Sequence, residues 1–478
     1  MTIEKNIYKY LGLALYLLTY ILIVCNQLEW GQFPSTILIG LIFLASIILW
    51  INVSIEWPSL ITLILIGMLP EIGYNKLSEM SFGNQTFVFL IFTFAATQLL
   101  IQSGALAKLT QNLMNLPWVG QSSRHYMLIF LILTLTLACI FSPSVLFMFL
   151  FPMYQSICHH CQLEKGDPVA SKYLIAFMAT IAIGTAMTPI NHIFALTAMT
   201  LFHEATGQSI SYLSYMALGV PTGLCVFSLL MLRVYQWASD LNITPQIQAN
   251  QVTVTYTSRE KASLYLYGLM ILLWLLPECI QLIGLDIKAF VGNGSMVFPP
   301  LIICMLMLLI KIDDEPLGNV TDMFNQGLHW PSLLLLSATL ALGSAMSNPK
   351  IGFIHSLQAI IPETIISLPY WVIVSIFVVW AGLQTNFSSN LVTVSLVTTF
   401  LLSTFTNLPV NLLRMIVMMI GFMASMAVMT PPSMPYVAIS IGSEWTNSRD
   451  CLKYGGVVLI LTTVCLIVVG YSLMQLGF

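Results

Sequence analysis

The sequence predicts an all-α polytopic membrane protein, an inverted repeat with two re-entrant helical hairpins, two broken transmembrane helices and about 11 spans. Three observations carry this expectation. First, of 478 residues 58% are hydrophobic and only 7% charged, with a mean hydropathy of +0.89; globular domains carry roughly a quarter charged residues. Second, two long apolar runs are interrupted at corresponding places, Thr188-Pro189-Ile190-Asn191 within 169–201 and Thr430-Pro431-Pro432-Ser433 within 412–441. A Ser-rich interruption precedes each: Ser142-Pro143-Ser144 lies 46 residues before Thr188, and Ser388-Ser389-Asn390 places Ser389 41 residues before Thr430. Third, with the N-terminus inside and the first hairpin re-entrant, 12 of the 16 Lys and Arg residues fall on the inner side and 4 outside, as the positive-inside rule requires. Reading 126–156 as a single span would reverse everything after it and spoil that bias.

In chain order, apolar runs occur at 10–25, 34–51, 57–70, 86–103, 169–201, 211–235, 263–284, 290–310, 330–346, 412–441 and 454–474. A straight span needs about 20 apolar residues, so the 57–70 run is short and expected to be tilted or interfacial. Lys5 and Lys9 before the first run resemble a signal peptide, but no small-x-small cleavage pattern follows, so an uncleaved first span is expected. In segment 126–156 each arm around Ser142-Pro143-Ser144 is too short to span alone, which fits a hairpin. Segment 370–404 is longer and reads as a hairpin plus part of a preceding helix. Residues 236–261 form the one long polar stretch, a solvated cytoplasmic connector. The predicted organisation is therefore N-terminal scaffold spans 1–80, a first repeat 81–235, the connector 236–261, linking spans 262–317 and a second repeat 318–478. Such a chain is an integral, multi-pass protein of the lipid bilayer (the inner, cell membrane if bacterial) with a cytoplasmic N-terminus.

Several classes are excluded or disfavoured. No basic stripe with interleaved aromatics points to nucleic acid. Neither His-Glu-x-x-His nor Gly-x-Ser-x-Gly occurs, so no enzyme is predicted. Cys158-His159-His160-Cys161 has metal-ligand types but no second half at usable spacing, and reads as a solvated loop. The other cysteines read as small core residues. Glu278, beside Pro277, reads as interfacial.

The breaks carry the chemistry. A proline inside a spanning helix removes a backbone donor and leaves carbonyls without partners. Bare backbone at membrane depth persists only where it is buried in protein or lines a polar cavity. A matched pair of interrupted helices in two repeats is the strongest sequence pointer to a secondary transporter's binding site. The alternative is that Pro189 and Pro431 are ordinary kinks; their pairing argues against it. His192 reads either as a titrating group beside the first break or as a buried imidazole hydrogen-bonded to a neighbouring helix.

At these residues the chain resembles the divalent-anion:sodium symporter family, whose members carry a Ser-Asn-Thr motif at each hairpin tip and a Thr-Pro-Pro-Asn-like break in each partner helix. Thr385-Asn386-Phe387-Ser388-Ser389-Asn390-Leu391 matches the second tip. Met429-Thr430-Pro431-Pro432-Ser433 matches the second break, and Gly184-Thr185-Ala186-Met187-Thr188-Pro189-Ile190-Asn191 the first. The chain departs from the family at Pro143, in place of an amide, and at Leu391, in place of a hydroxyl. The resemblance implies an elevator-type homodimer carrying a small organic or inorganic anion, di- or tricarboxylate-like or sulfate-like, with Na⁺ as coupling ion and no organic cofactor. Candidate substrate-binding residues are Ser142, Ser144, Thr188, Pro189, Asn191, Ser389, Asn390, Thr430, Pro431 and Ser433. Ser142, Ser389 and Asn390 are the candidate Na⁺ ligands, oxygen donors suited to a hard cation. The departures also leave open an uncoupled or exchange-type anion carrier or a transporter-like membrane sensor.

Overall fold

The computed structural model describes residues 2–105, 108, 112, 123–190, 192–237, 255–282, 297–328, 330–353, 356, 368–430 and 433–475. Asn191, Pro431, most of the 236–261 connector and the side chain of Glu278 lie outside the described residues. Helices α1 (Thr2–Gln27) and α2 (Ser35–Asn52) pack antiparallel, Gly12 against Leu49 and Tyr16 bonded to Ser46 at 3.0 Å. A first series follows: α3 (Glu56–Gly67), α4 (Gly73–Met80), α5 (Gln85–Gln102), α6 (Ser123–Ala138), α7 (Pro143–His160), α8 (Pro168–Met187), α9 (Ile193–Thr206) and α10 (Tyr212–Trp237). Helix α11 (Ser258–Leu282) leads to a second series: α12 (Phe298–Leu309), α13 (Val320–Gly327), α14 (Trp330–Met346), α15 (Tyr370–Phe387), α16 (Asn390–Thr404), α17 (Val410–Met423), α18 (Pro435–Gly442) and α19 (Ser448–Gln475). A two-residue β-ribbon pairs Lys311–Ile312 with Glu315–Pro316.

The two series correspond member by member and pack crosswise. Helices α3 and α4 lie on α14, while α12 and α13 lie on α5. Both short helices, α4 and α13, are amphipathic stretches of 8 residues preceding a long apolar one. Six described helices are long and apolar enough to cross a membrane. Helix α8 is buried along nearly its whole length.

Side-chain pairings fix the directions. Along α8, Tyr173 receives Phe130 and donates to the Met127 carbonyl at 3.2 Å, while Gly184 lies against Leu135 and Ala138; α6 therefore runs parallel to α8. Helix α7 returns the other way, Phe147 stacking on Phe177 and Tyr154 donating to the Ala170 carbonyl at 2.8 Å. Segment 126–156 is thus a hairpin whose tip reaches the first break. In the second series Phe377 of α15 meets Phe400 and Phe405, so α15 and α16 form the corresponding hairpin. It uses the whole of 370–404, leaving none of it for a preceding helix. The two hairpins open toward opposite faces. The first opens where Lys165 pairs with Glu444 at 3.5 Å and Ser171 bonds Asp450 at 2.8 Å. The second opens where Arg414 donates to Gln208 at 2.9 Å.

Local sequence explains the boundaries. Asp167 caps α8 by accepting from the Val169 N–H at 2.7 Å, and Pro168 sits in its first turn, where no donor is lost. Gly207, at φ 70°, closes α9 in the left-handed conformation that glycine adopts without strain. Outside the spans, Lys108 donates to Glu260 at 2.7 Å and holds that carboxyl below the usual range.

Candidate substrate and ion site

At the first break, Thr188 is extended (φ −130°, ψ 147°) because the following Pro189 disfavours helical backbone at the residue before it. The break covers only 188–192. The Thr188 hydroxyl donates to the Cys139 carbonyl, at the end of the first hairpin arm, at 2.5 Å. Tyr215 reinforces the helix end by donating to the Ala186 carbonyl at 3.1 Å.

At the second break the helix ends much earlier. α17 stops at Met423, so 424–434 precede α18, although no proline or glycine marks residue 424. Side chains of the second hairpin take over from the helical ladder. Thr385 donates to the Ala424 carbonyl at 2.9 Å. Asn386 donates to the carbonyls of Gly382 and Met426, both at 2.8 Å, and accepts from the N–H groups of Val428 and Met429 at 3.0 and 2.9 Å. The Thr430 hydroxyl donates to the Asn386 carbonyl. This last contact repeats Thr188–Cys139: Thr188 and Thr430 each stand five residues before the next helix, and Cys139 and Asn386 four residues before a hairpin's second arm.

The tips differ in what they offer. Ser142 and Ser389 are equivalent N-caps, at ψ 132° in both, and neither side chain bonds its own helix. In α16 the first helical bond runs from Thr393 N–H to the Ser389 carbonyl, leaving the N–H groups of Asn390, Leu391 and Val392 free of the helical ladder. In α7 the first bond runs from Leu146 to Ser142, and Pro143 has no N–H to offer. Asn390 is buried, and neither its amide oxygen nor its nitrogen has a hydrogen-bond partner; the same holds for the Ser388 hydroxyl. Leaving such a group bare costs about 1–3 kcal/mol, so it marks a place where something else completes the bonding.

The breaks and tips are brought together crosswise. Leu201 and Ala205 near the end of α9 share a small cavity with Thr399, Leu402 and Ser403 of α16. These two packed helices of similar length run parallel, so α9 begins at the level of the second tip. Likewise Phe147 of α7 stacks on Tyr436 of α18, and Tyr154 meets Trp445, so α18 begins at the level of the first tip. Among the described residues, one direct side-chain bond joins the breaks: His192 Nε2 to the Ser425 hydroxyl, 2.5 Å, with Nδ1 buried and unpartnered.

Among the candidate residues, Ser389 and Asn390 thus lie with the start of α9, and Ser142 and Ser144 with the start of α18. Pro189 sits within the first break. Three hydroxyl protons are already engaged: Thr188 on Cys139, Thr430 on Asn386, and Ser433 on the Thr430 carbonyl at 2.6 Å. These oxygens retain lone pairs and can accept, but they do not donate to an anion while those bonds hold. Asn386, Thr385 and Ser425 are not among the candidate residues that the sequence points to. The available signal was a polar amide deep in an apolar hairpin arm, which is costly unless bonded. At Cys158-His159-His160-Cys161, both cysteines are buried and His159 packs edge-on against Trp445.

The profile of the citrate transporter family matches residues 45–421. No curated protein matches the chain by sequence. Among solved structures, the crystal structure of the Alcanivorax borkumensis YdaH transporter, described as having an unusual topology, aligns with a TM-score of 0.51 at 14% identity, covering 85% of this chain and 88% of that one. At that identity the likeness concerns the fold.

Proposed function

Because the chain belongs to the citrate transporter family, we propose that this membrane transporter carries a small carboxylate-bearing anion as a Na⁺-coupled, elevator-type secondary carrier, working as a homodimer. The observation that carries the reading is the bare, buried Asn390 amide at the second tip, beside the Ser388 hydroxyl and the free N–H groups opening α16. An amide oxygen and a hydroxyl suit Na⁺, while the amide N–H₂ and a helix N-terminus suit a carboxylate. The parallel start of α9 adds a second N-terminus at the same level. Thr188, Thr430 and Ser433 hold the broken backbone in place and offer lone pairs, so they fit cation coordination better than anion donation.

An uncoupled or exchange-type carrier is the second reading, favoured by Pro143 and by Leu391, which is buried where the related family has a hydroxyl. Flux into proteoliposomes separates the two. With citrate, succinate and sulfate as a panel, an inward Na⁺ gradient is expected to accelerate uptake of at least one carboxylate. Uptake indifferent to Na⁺ but dependent on anion inside the vesicle would establish exchange instead.

A further inference from the structure

The inverted repeat creates two clefts on the flank formed by α10 and α19, one toward each face. The first, about 270 Å³, is lined by Lys172 and Ala176 of α8, Leu230 and Arg233 of α10, and Tyr454 and Val458 of α19. The second, about 260 Å³, is lined by Arg414 and Met418 of α17, Ser214 and Leu218 of α10, and Leu473 of α19. Lys172 is the fifth residue of α8 and Arg414 the fifth of α17, so the repeat places one cation at the same position in both clefts.

Their surroundings differ. The Arg414 guanidinium is held by Gln208 and lies 6.0 Å from the centre of the Phe202 ring. In the first cleft Lys172 is joined by Arg233, itself donating to Gln236 at 3.3 Å, and Lys453 approaches the same Tyr454 ring, 5.2 Å from its centre, as Lys172 does at 5.8 Å, so that cleft gathers more cations. Of the acids at this end, Asp167 caps α8, Glu444 pairs with Lys165 and Asp450 bonds Ser171. Beyond the cations the cleft walls are aliphatic, and Leu232, Val457, Ile460 and Val464 expose apolar surface along α10 and α19. A cationic end above an apolar, membrane-length wall matches an amphiphile with an anionic head. A soluble carboxylate has nothing to cover the wall, and a zwitterionic lipid brings no net charge to the cations.

We propose that the Lys172–Arg233 cleft binds one anionic diacyl phospholipid, its phosphate between these two side chains and its acyl chains along α10 and α19. A basic side chain near the membrane surface favours an anionic lipid by about fivefold, so the pair gives a preference of roughly 25-fold. The test is native mass spectrometry of the full chain released from nanodiscs of equal phosphatidylglycerol and phosphatidylcholine. The wild type is expected to retain one phosphatidylglycerol preferentially, and added salt to weaken that preference. The Lys172→Gln/Arg233→Gln protein is expected to lose it, while Arg414→Gln, in the other cleft, keeps it. Equal retention of the two lipids by the wild type, or an unchanged preference in the double variant, would overturn the proposal. So would displacement of the lipid by soluble glycerol phosphate, which would mark a site for free phosphate. If the double variant does not fold, the wild-type preference and its salt dependence still decide.

Discussion

The two breaks occupy equivalent places and make one identical bond, yet they are supported differently. Thr188 and Thr430 both donate to the carbonyl at the end of a hairpin's first arm. At the first break that residue is Cys139, whose side chain makes none of the bonds holding 188–192. At the second it is Asn386, whose amide bonds Met426, Val428 and Met429 and so stabilises a longer stretch, 424–430. Backbone can leave the helix at membrane depth for as long as other groups replace its ladder. The second hairpin provides those groups, and its tip also keeps the donors that Pro143 removes from the first.

Removing the amide should therefore separate the halves sharply. Asn386→Ala leaves two buried N–H groups and a carbonyl without partners, at about 1–3 kcal/mol each before relaxation. We expect a net loss of about 3–5 kcal/mol, read as a collapse of the melting temperature in detergent. Cys139→Ala, whose backbone carbonyl survives, should fall within about 1 kcal/mol of the wild type. Similar losses in both would erase the comparison.

The shared bond gives a smaller, matched effect. Thr188→Val and Thr430→Val keep the shape and remove one hydrogen bond each, so each should cost about 1 kcal/mol. Melting curves showing a large loss at one site only would mean that the two bonds are not equivalent.

Asn390 sharpens the comparison from the other side. Since its amide has no partner, Asn390→Ala breaks no bond, and stability should change by less than about 1 kcal/mol or rise. An Asn390→Ala protein as unstable as Asn386→Ala would mean that Asn390 is structural. The smallest effect lies outside the spans, at Glu260. Its carboxyl is held low, first by the Lys108 hydrogen bond. The bridge therefore stabilises at and above the ordinary carboxylate range and is lost as pH falls through the lowered value. Melting measured from neutral to acid pH should show a small acid-side drop that Glu260→Gln removes.

Much of this architecture is legible in the sequence, because proline and serine announce themselves inside apolar runs. Pro189 fixes the first break to within a residue or two, and Ser142-Pro143 and Ser389-Asn390 fix both tips. The start of the second break is not legible. Val410–Met429 is an apolar run with helix-compatible residues, and its helix ends at Met423 only because Thr385 and Asn386, about 40 residues earlier, meet it in space. For the same reason the hydroxyls of Thr188, Thr430 and Ser433 look free in the sequence and are bonded in the fold. The His192–Ser425 contact joins residues 233 positions apart, beyond any local pattern.

The most direct test of the account is Na⁺-gradient-driven uptake of carboxylates into proteoliposomes by the wild type, Asn390→Ala and Pro143→Asn proteins. Wild-type uptake should rise with an inward Na⁺ gradient. Asn390→Ala should stay folded and lose the rise, and Pro143→Asn, which restores an amide and a backbone N–H at the first tip, should enlarge it. Na⁺-driven uptake in Asn390→Ala at the wild-type rate would contradict the account.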